Sequence, residues 1–267
     1  MNNKRIFITG GASGLGKAVA IKFASKGFKV CIGDVNDERG QEAEAELKSL
    51  SSESFYVYCD VTSQDNLENV RSQLETRWGG VDVVVNNAGV GGTAGSIEDV
   101  SLSDWQWVID VNLMGVVRGC KTFTPLFKKQ KSGHFVNIAS AAGLMSAPFM
   151  SNYNVTKAGV ISLSETLLAE LHAHKITTSV VCPAFFQTNL TESMRSHIGG
   201  IHSKVNKLMS RSKITAEDVA DSIYQAYEKK EFWVVTHPFE RRMWYFKRMV
   251  PKGFNALMQR QAKKLFA

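Results

Sequence analysis

Residues 4–24, KRIFITGGASGLGKAVAIKFA, restrict the chain more than any other stretch. The apolar run Ile6, Phe7 and Ile8 has the length of a buried strand. It passes into T-G-G-A-S-G-L-G over residues 9–16, and Leu15, Val19, Ala20 and Phe23 then recur at helical spacing. Strand, glycine turn and helix in succession give the geometry that holds a dinucleotide. Glycines let the backbone turn tightly and approach a pyrophosphate, and the helix start offers free N–H groups and a positive dipole end. Glycine turns that bind nothing share the pattern, so later residues must arbitrate.

A chain of 267 residues, 44% apolar and 21% charged, suits one large α/β domain with a sizeable core. The start of the chain enters a strand within a few residues, an expectation that leaves no room for a signal peptide. No apolar run reaches the roughly 18 residues needed to cross a bilayer. Cys31, Cys59, Cys120 and Cys182 stand far apart without metal-ligand spacing, so buried thiols in a reducing cytoplasm are expected and no metal site is. The net charge of +7 is local. From His237 onward Arg241, Arg242, Lys247, Arg248, Lys252, Arg260, Lys263 and Lys264 face only Glu240, a surplus equal to that of the whole chain. The division expected is a catalytic domain over residues 1–236 and a basic extension over 237–267.

Further buried strands are expected at 28–33, 54–58, 81–85, 134–138, 176–182 and 232–235, alternating with helical patterns. This predicts a Rossmann-type, doubly wound parallel sheet of about seven strands. Asp34 ends the second strand about 20 residues past the turn, where a carboxylate accepts hydrogen bonds from the adenosine ribose hydroxyls and repels a 2′-phosphate. Neither Ser13 nor Val35 or Asn36 brings positive charge, so NAD is expected over NADP; Lys17 and Arg39 are the cations within reach. Asp34 as a cap for the next helix is the alternative. Asp60, Val61 and Thr62 after the third strand equally fit the start of a helix. After the fourth strand, Asn86, Asn87, Ala88 and Gly89 provide two amides able to satisfy loop backbone. Residues 104–129 read as one amphipathic helix, with Asn112, a poor helix former, in its middle.

Tyr153 and Lys157 stand four apart on one helix face, and Ser140 ends a strand thirteen residues before Tyr153. A lone Y-x-x-x-K is common by chance. Together with T-G-x-x-x-G-x-G at Gly10, Gly14 and Gly16 and with N-N-A-G, it resembles the short-chain dehydrogenase/reductase family over roughly residues 4–236. The resemblance implies an oxidoreductase acting on a CH–OH group, with Asn112, Ser140, Tyr153 and Lys157 as catalytic tetrad. Tyr153 is then the acid/base, tuned by the Lys157 ammonium from a phenol pKa of about 10. Ser140 holds the substrate oxygen, and Asn112 holds a water that links Lys157 to solvent. For the cofactor it implies Gly10, Ser13, Gly14, Leu15, Gly16, Asp34, Asp60, Val61, Asn87, Ala88, Gly89, Tyr153, Lys157, Pro183 and Thr188. Thr188 stands where the family pattern P-G-x-V-x-T wants it, whereas Ala184 and Phe186 depart from that pattern. A homodimer or homotetramer is implied as well.

Residues 189–213 form the expected substrate lid. Leu144, Met145, Phe149, Phe185, Leu190 and Met194, with Ser140 and Tyr153 and with Ile198, Ile201, Leu208 and Met209 of the lid, predict an apolar pocket for a lipophilic alcohol or ketone. Packing of the lid onto the body is the alternative for many of these residues. In the tail, Phe239, Met243, Phe246 and Val250 share one face, and Phe254, Leu257, Met258 and Leu265 another. A basic amphipathic tail of this kind lies on an anionic membrane or docks on the body or a second subunit. Nucleic-acid binding is not expected, since no recognition module accompanies the short run of charge. An NAD-dependent alcohol dehydrogenase or ketone reductase is favoured by the complete tetrad. A 3-oxoacyl thioester reductase and a non-catalytic dinucleotide sensor are the alternatives.

Overall fold

Successive residues of a strand face opposite sides, so IFI buries apolar groups both ways. Ile6 and Ile8 pack with Val19 and Phe23 of α1 (Gly14–Ser25), Leu47 of α2 (Asp37–Leu50) and Ile223 of α9 (Ala216–Lys229). Phe7 packs on the other side with Leu67 and Leu74 of α3 (Gln64–Trp78) and Phe123 and Phe127 of α5 (Gly115–Gln130). The sheet between these layers has seven strands, β1 (Arg5–Thr9), β2 (Lys29–Asp34), β3 (Phe55–Tyr58), β4 (Val83–Asn86), β5 (Gly133–Ile138), β6 (Ile176–Val181) and β7 (Trp233–Val234). Their order is β3-β2-β1-β4-β5-β6-β7, and every pairing is parallel. The order reverses between β1 and β4, which opens a crevice at the carboxyl ends of those strands. The structure is a computed structural model that describes residues 4–266, excluding the side chains of Lys204 and residues 264–266. The Leu265 side chain, expected on the second tail face, is among those excluded.

Caps fix several helix starts. Asn36, Ser63, Ser101 and Thr215 each accept a backbone N–H of the first turn, and Thr215 with Asp218 forms a reciprocal capping box. Asp34 is therefore not the cap of α2; Asn36 is. Likewise Ser63, not Asp60, caps α3, while Asp60 Oδ1 accepts the Thr62 N–H at 2.8 Å just before it.

Where one long helix is expected, the chain forms three pieces. α4 (Leu102–Ile109) passes through a π-helical turn, Asp110–Met114, into α5. The turn is centred on Asn112, whose buried side chain accepts the Val90 N–H at 2.7 Å and donates to the Val90 carbonyl at 2.9 Å. The lid is also subdivided. A 3₁₀ turn, Asn189–Ser193, leads to a two-residue strand, Arg195–Ser196, paired with Thr93–Ala94, and then to α8 (Ile201–Ser210).

After α6 (Ala141–Met145) and α7 (Ser151–Glu170), the last two helices are α10 (Pro238–Met249) and α11 (Pro251–Phe266). Pro251 opens α11, where a missing N–H costs nothing, and Gly253 lies within that helix. Trp244 of α10 stacks on Trp233 at 4.7 Å between ring centroids, and Phe254 is buried against Phe246. The expected shared face of Phe239 and Val250 with Met243 and Phe246 does not pack as a unit, because Phe239 is 66% exposed and Val250 is 48% exposed.

Candidate active site

The crevice is a cavity of about 710 Å³ whose wall begins at the glycine turn. Gly10 and Gly14 take positive φ angles of 63° and 51°, which an L side chain would strain. Gly16 does not reach the wall. A Cβ there would sit 2.1 Å from the Gly10 carbonyl oxygen, so this glycine serves the close approach of α1 to the turn. Ser13 precedes α1 without a side-chain capping bond, and Ser13, Gly14 and Leu15 all line the cavity. The start of α1 thus borders the cavity without a side-chain cap, unlike the starts of α2 and α3.

Asn87 locks this turn from the neighbouring strand. Its Nδ2 donates to the Thr9 and Gly10 carbonyls at 2.9 and 3.0 Å, while Thr9 Oγ1 accepts the N–H groups of Asn87 and Ala88. Asn86 faces the other way, into the core, where Nδ2 donates to Asn137 Oδ1 at 2.8 Å. At the rim, the Asp34 carboxylate accepts the backbone N–H groups of Ala12 and Asn36, both at 3.1 Å. Asp60, Val61, Asn87, Ala88, Gly89, Pro183 and Thr188 also line the cavity. Of the two cations near Asp34, Lys17 pairs with Glu46 at 2.7 Å and Arg39 with Glu192 at 3.1 Å. Arg39 and Glu192 both lie on the cavity wall.

Ser140, Tyr153 and Lys157 meet at the far end. Ser140 starts α6, where its Oγ accepts the Ala142 N–H at 3.1 Å and makes a long bond to the Pro183 carbonyl at 3.4 Å. Gly143 lets α6 lie directly on α7, since a Cβ there would be 2.6 Å from the Lys157 carbonyl carbon. Lys157 is buried. Its Nζ donates to the Ile138 carbonyl at 3.0 Å and lies 5.7 Å from the Tyr153 ring centre. Desolvation brings its pKa down to about 8. Burial raises the Tyr153 phenol, and a hydrogen bond with Ser140 opposes that rise. Ser140 is thus a group that favours the phenolate. Asn112 lies beneath the wall rather than on it, and a Cβ on Gly89 would fall 3.1 Å from its Oδ1 and 3.6 Å from Lys157 Nζ.

The apolar lining differs from expectation. Leu190 reaches the cavity, but Leu144, Met145, Phe149, Phe185 and Met194 do not. Leu144 is part of the core, and Met145 packs against it. Phe149 lies in a left-handed turn whose carbonyl accepts the Gly95 N–H. Phe185 is 45% exposed, and Met194 is buried against Gly91. Val90, Trp107, Val111 and Phe186 take their place on the wall beside Met209 of the lid, which the apolar lid pattern predicts. Trp107 and Val111 are four apart, a second apolar spacing on α4 and its π-turn that stands beside the main stripe. Arg195 of the lid lies 3.9 Å over the Trp107 ring and pairs with Asp104 at 2.6 Å, which pins lid to helix.

His237 was not legible as a site residue. Its Nδ1 accepts the Ala184 N–H at 3.2 Å, which leaves Nε2 to donate to the Phe185 carbonyl at 3.2 Å. The buried imidazole thereby fixes the loop after β6, where Ala184 and Phe186 depart from the family pattern.

Comparison with known proteins agrees with this geometry. The family model "short chain dehydrogenase" matches residues 4–199. A 3-oxoacyl-[acyl-carrier-protein] reductase of Synechocystis is 35% identical over 190 residues, 71% of this chain and 76% of that protein. A "CLA biosynthesis dehydrogenase/reductase" of Lactiplantibacillus plantarum is 28% identical over 88% of each chain. Among solved structures, a short chain dehydrogenase/reductase from Burkholderia phymatum in complex with NAD superposes with a TM-score of 0.87 at 31% identity, covering 92% of this chain and 93% of that one. Seven parallel strands in this order, a cavity at their switch point and a match over residues 4–199 place the chain in the short-chain dehydrogenase/reductase family of oxidoreductases.

Proposed function

We propose that the protein interconverts a secondary alcohol and a ketone with NAD(H), on a lipophilic substrate. The observation that carries this reading is one cavity lined by the glycine turn and Asp34 at one end and by Ser140, Tyr153 and Lys157 at the other. The residues fit the cofactor. The unblocked start of α1 suits a pyrophosphate, and the Asp34 carboxylate suits ribose hydroxyls while opposing a 2′-phosphate. The B. phymatum relative was solved with NAD, which supports the same choice. When bound, the nicotinamide supplies or accepts the hydride.

The chain's own residues handle the oxygen. In reduction the Tyr153 hydroxyl gives its proton to the carbonyl oxygen, and in oxidation the phenolate takes it back. Ser140 turns its hydroxyl from the long Pro183 contact to the substrate oxygen and holds it toward Tyr153. Lys157, with a pKa brought down to about 8, exchanges a proton near neutrality and so restores Tyr153. Asn112 uses both ends of its amide to secure Val90 at the wall, and so positions the loop beside Lys157. Trp107, Val111, Leu190 and Met209 supply an apolar lining. The working form is a homo-oligomer.

A 3-oxoacyl thioester reductase is the second reading, favoured by the 35% identity to the Synechocystis enzyme. A screen of alcohols, ketones and 3-oxoacyl thioesters with NAD(H) and NADP(H), followed at the nicotinamide absorbance, decides. Turnover of lipophilic ketones with NADH is expected; kcat/KM favouring NADPH, or thioesters alone, would overturn the first reading.

A further inference from the structure

The docked tail leaves a second face uncovered. On α10, Phe239, Tyr245 and Met249 are 66%, 50% and 80% exposed, and Val250 follows at 48%. Arg241, Arg242 and Arg248 are exposed on the same helix and Lys252 just beyond it. Among the described residues none of these four forms an ion pair, and Arg248 instead lies 5.4 Å over Trp244. Arg241, Arg242 and Tyr245 also border a cavity of about 310 Å³ with Val235, Thr236 and Pro238. Glu240 is the one carboxylate in the tail. An exposed apolar patch rimmed by charged groups marks an interaction surface.

We infer that this face of α10 docks on an anionic phospholipid surface, with Arg241 and Arg242 taking a headgroup phosphate and Tyr245 and Met249 entering the interface. Charge selects this occupant. A second copy would set the same arginines near one another, whereas a phospholipid surface supplies both phosphate and apolar depth. No helix among the described residues is long and apolar enough to cross a membrane, so the contact is peripheral. The docking face is coupled to the crevice, because Lys247 of α10 donates to the Leu144 carbonyl of α6, the helix that Ser140 starts. The contact itself does not depend on the reaction proposed above.

Sedimentation of the full chain with phosphatidylglycerol/phosphatidylcholine vesicles tests this. Binding at low ionic strength is expected, with release near 1 M salt, where screening acts within about 3 Å. Arg241→Gln with Arg242→Gln should weaken binding about 25-fold, at about fivefold per arginine. Met249→Gln should weaken it without changing charge. Lys128→Gln with Lys129→Gln removes the same charge from the exposed end of α5 and should leave binding within about twofold of the unaltered protein's, as a site away from the interface contributes little beyond a Debye length. Thermal midpoints of all variants confirm folding. Absence of sedimentation at low salt, equal losses in the two double variants, or a change of oligomer in light scattering on Arg241→Gln with Arg242→Gln would each overturn the inference.

Discussion

Arg39 of α2 and Glu192 of the lid pair at 3.1 Å, joining two walls of the crevice beside Asp34. The pairing turns the positive group nearest the ribose site toward the lid. Glu192→Gln should release Arg39 and raise NADP affinity by about two- to fivefold, the size expected of an exposed pair worth up to about 1 kcal/mol. NAD affinity should change little. Calorimetric titration with each cofactor checks this, and Arg39→Gln added to Glu192→Gln should abolish the gain.

Tyr153→Phe keeps the ring and removes the proton. Turnover should fall by about 10²- to 10⁴-fold, with cofactor affinity intact. Near-normal kcat would remove Tyr153 from the acid/base role. In the unaltered enzyme, ketone reduction should decline as pH rises through about 8, where Lys157 loses its proton. Lys157→Met should flatten that limb of the profile.

His134 gives a stability prediction of defined sign. It is buried between Thr177 and Ser179, and burial lowers its pKa from 6.5 to about 3. Between those values the unfolded chain binds a proton that the native chain does not. Native stability should therefore fall as pH drops from 6.5 toward 3, by on the order of a few kcal/mol. Thermal midpoints against pH should show an acid limb shallower by about one proton in His134→Gln. Equal slopes would assign the limb to other groups.

Lys247→Met removes the tail's bond to the Leu144 carbonyl, 2.7 Å long. The α6 turn behind Ser140 then loses a support, and substrate KM should rise about two- to tenfold, in keeping with a charged hydrogen bond of about 1.5 kcal/mol at most partly lost. Cofactor affinity should stay constant. A parallel loss of cofactor binding would indicate general unfolding instead.

The parts legible in the sequence are those in which local chemistry and tertiary role coincide. Ile6, Phe7 and Ile8 are apolar because both sheet faces are covered, and Gly10 and Gly14 are glycine because of positive φ. Ser140, Tyr153 and Lys157 stand out by a spacing that resembles the family's, and the fold brings all three to one end of the cavity. The substrate wall was not legible. An apolar side chain carries no mark of whether it meets core or cavity, so Leu144, expected on the wall, lies in the core, and Trp107, which no pattern singles out, lines the cavity. The π-turn around Asn112 is a shift of backbone hydrogen bonds with little trace in composition. The ribbon of Thr93–Ala94 with Arg195–Ser196 is too short to show alternation. His237 acts on loop backbone 52 and 53 residues away, a partnership that spacing cannot reveal.

The Asn87 clamp has a consequence for the order in which the molecule matures. The carbonyls of Thr9 and Gly10 find their side-chain donor 78 and 77 residues later in the chain. Until Asn87 is in place, the bend between β1 and α1 lacks this support. The clamp closes only where β4 pairs with β1, so the glycine turn is secured from across the sheet rather than from within its own strand and helix.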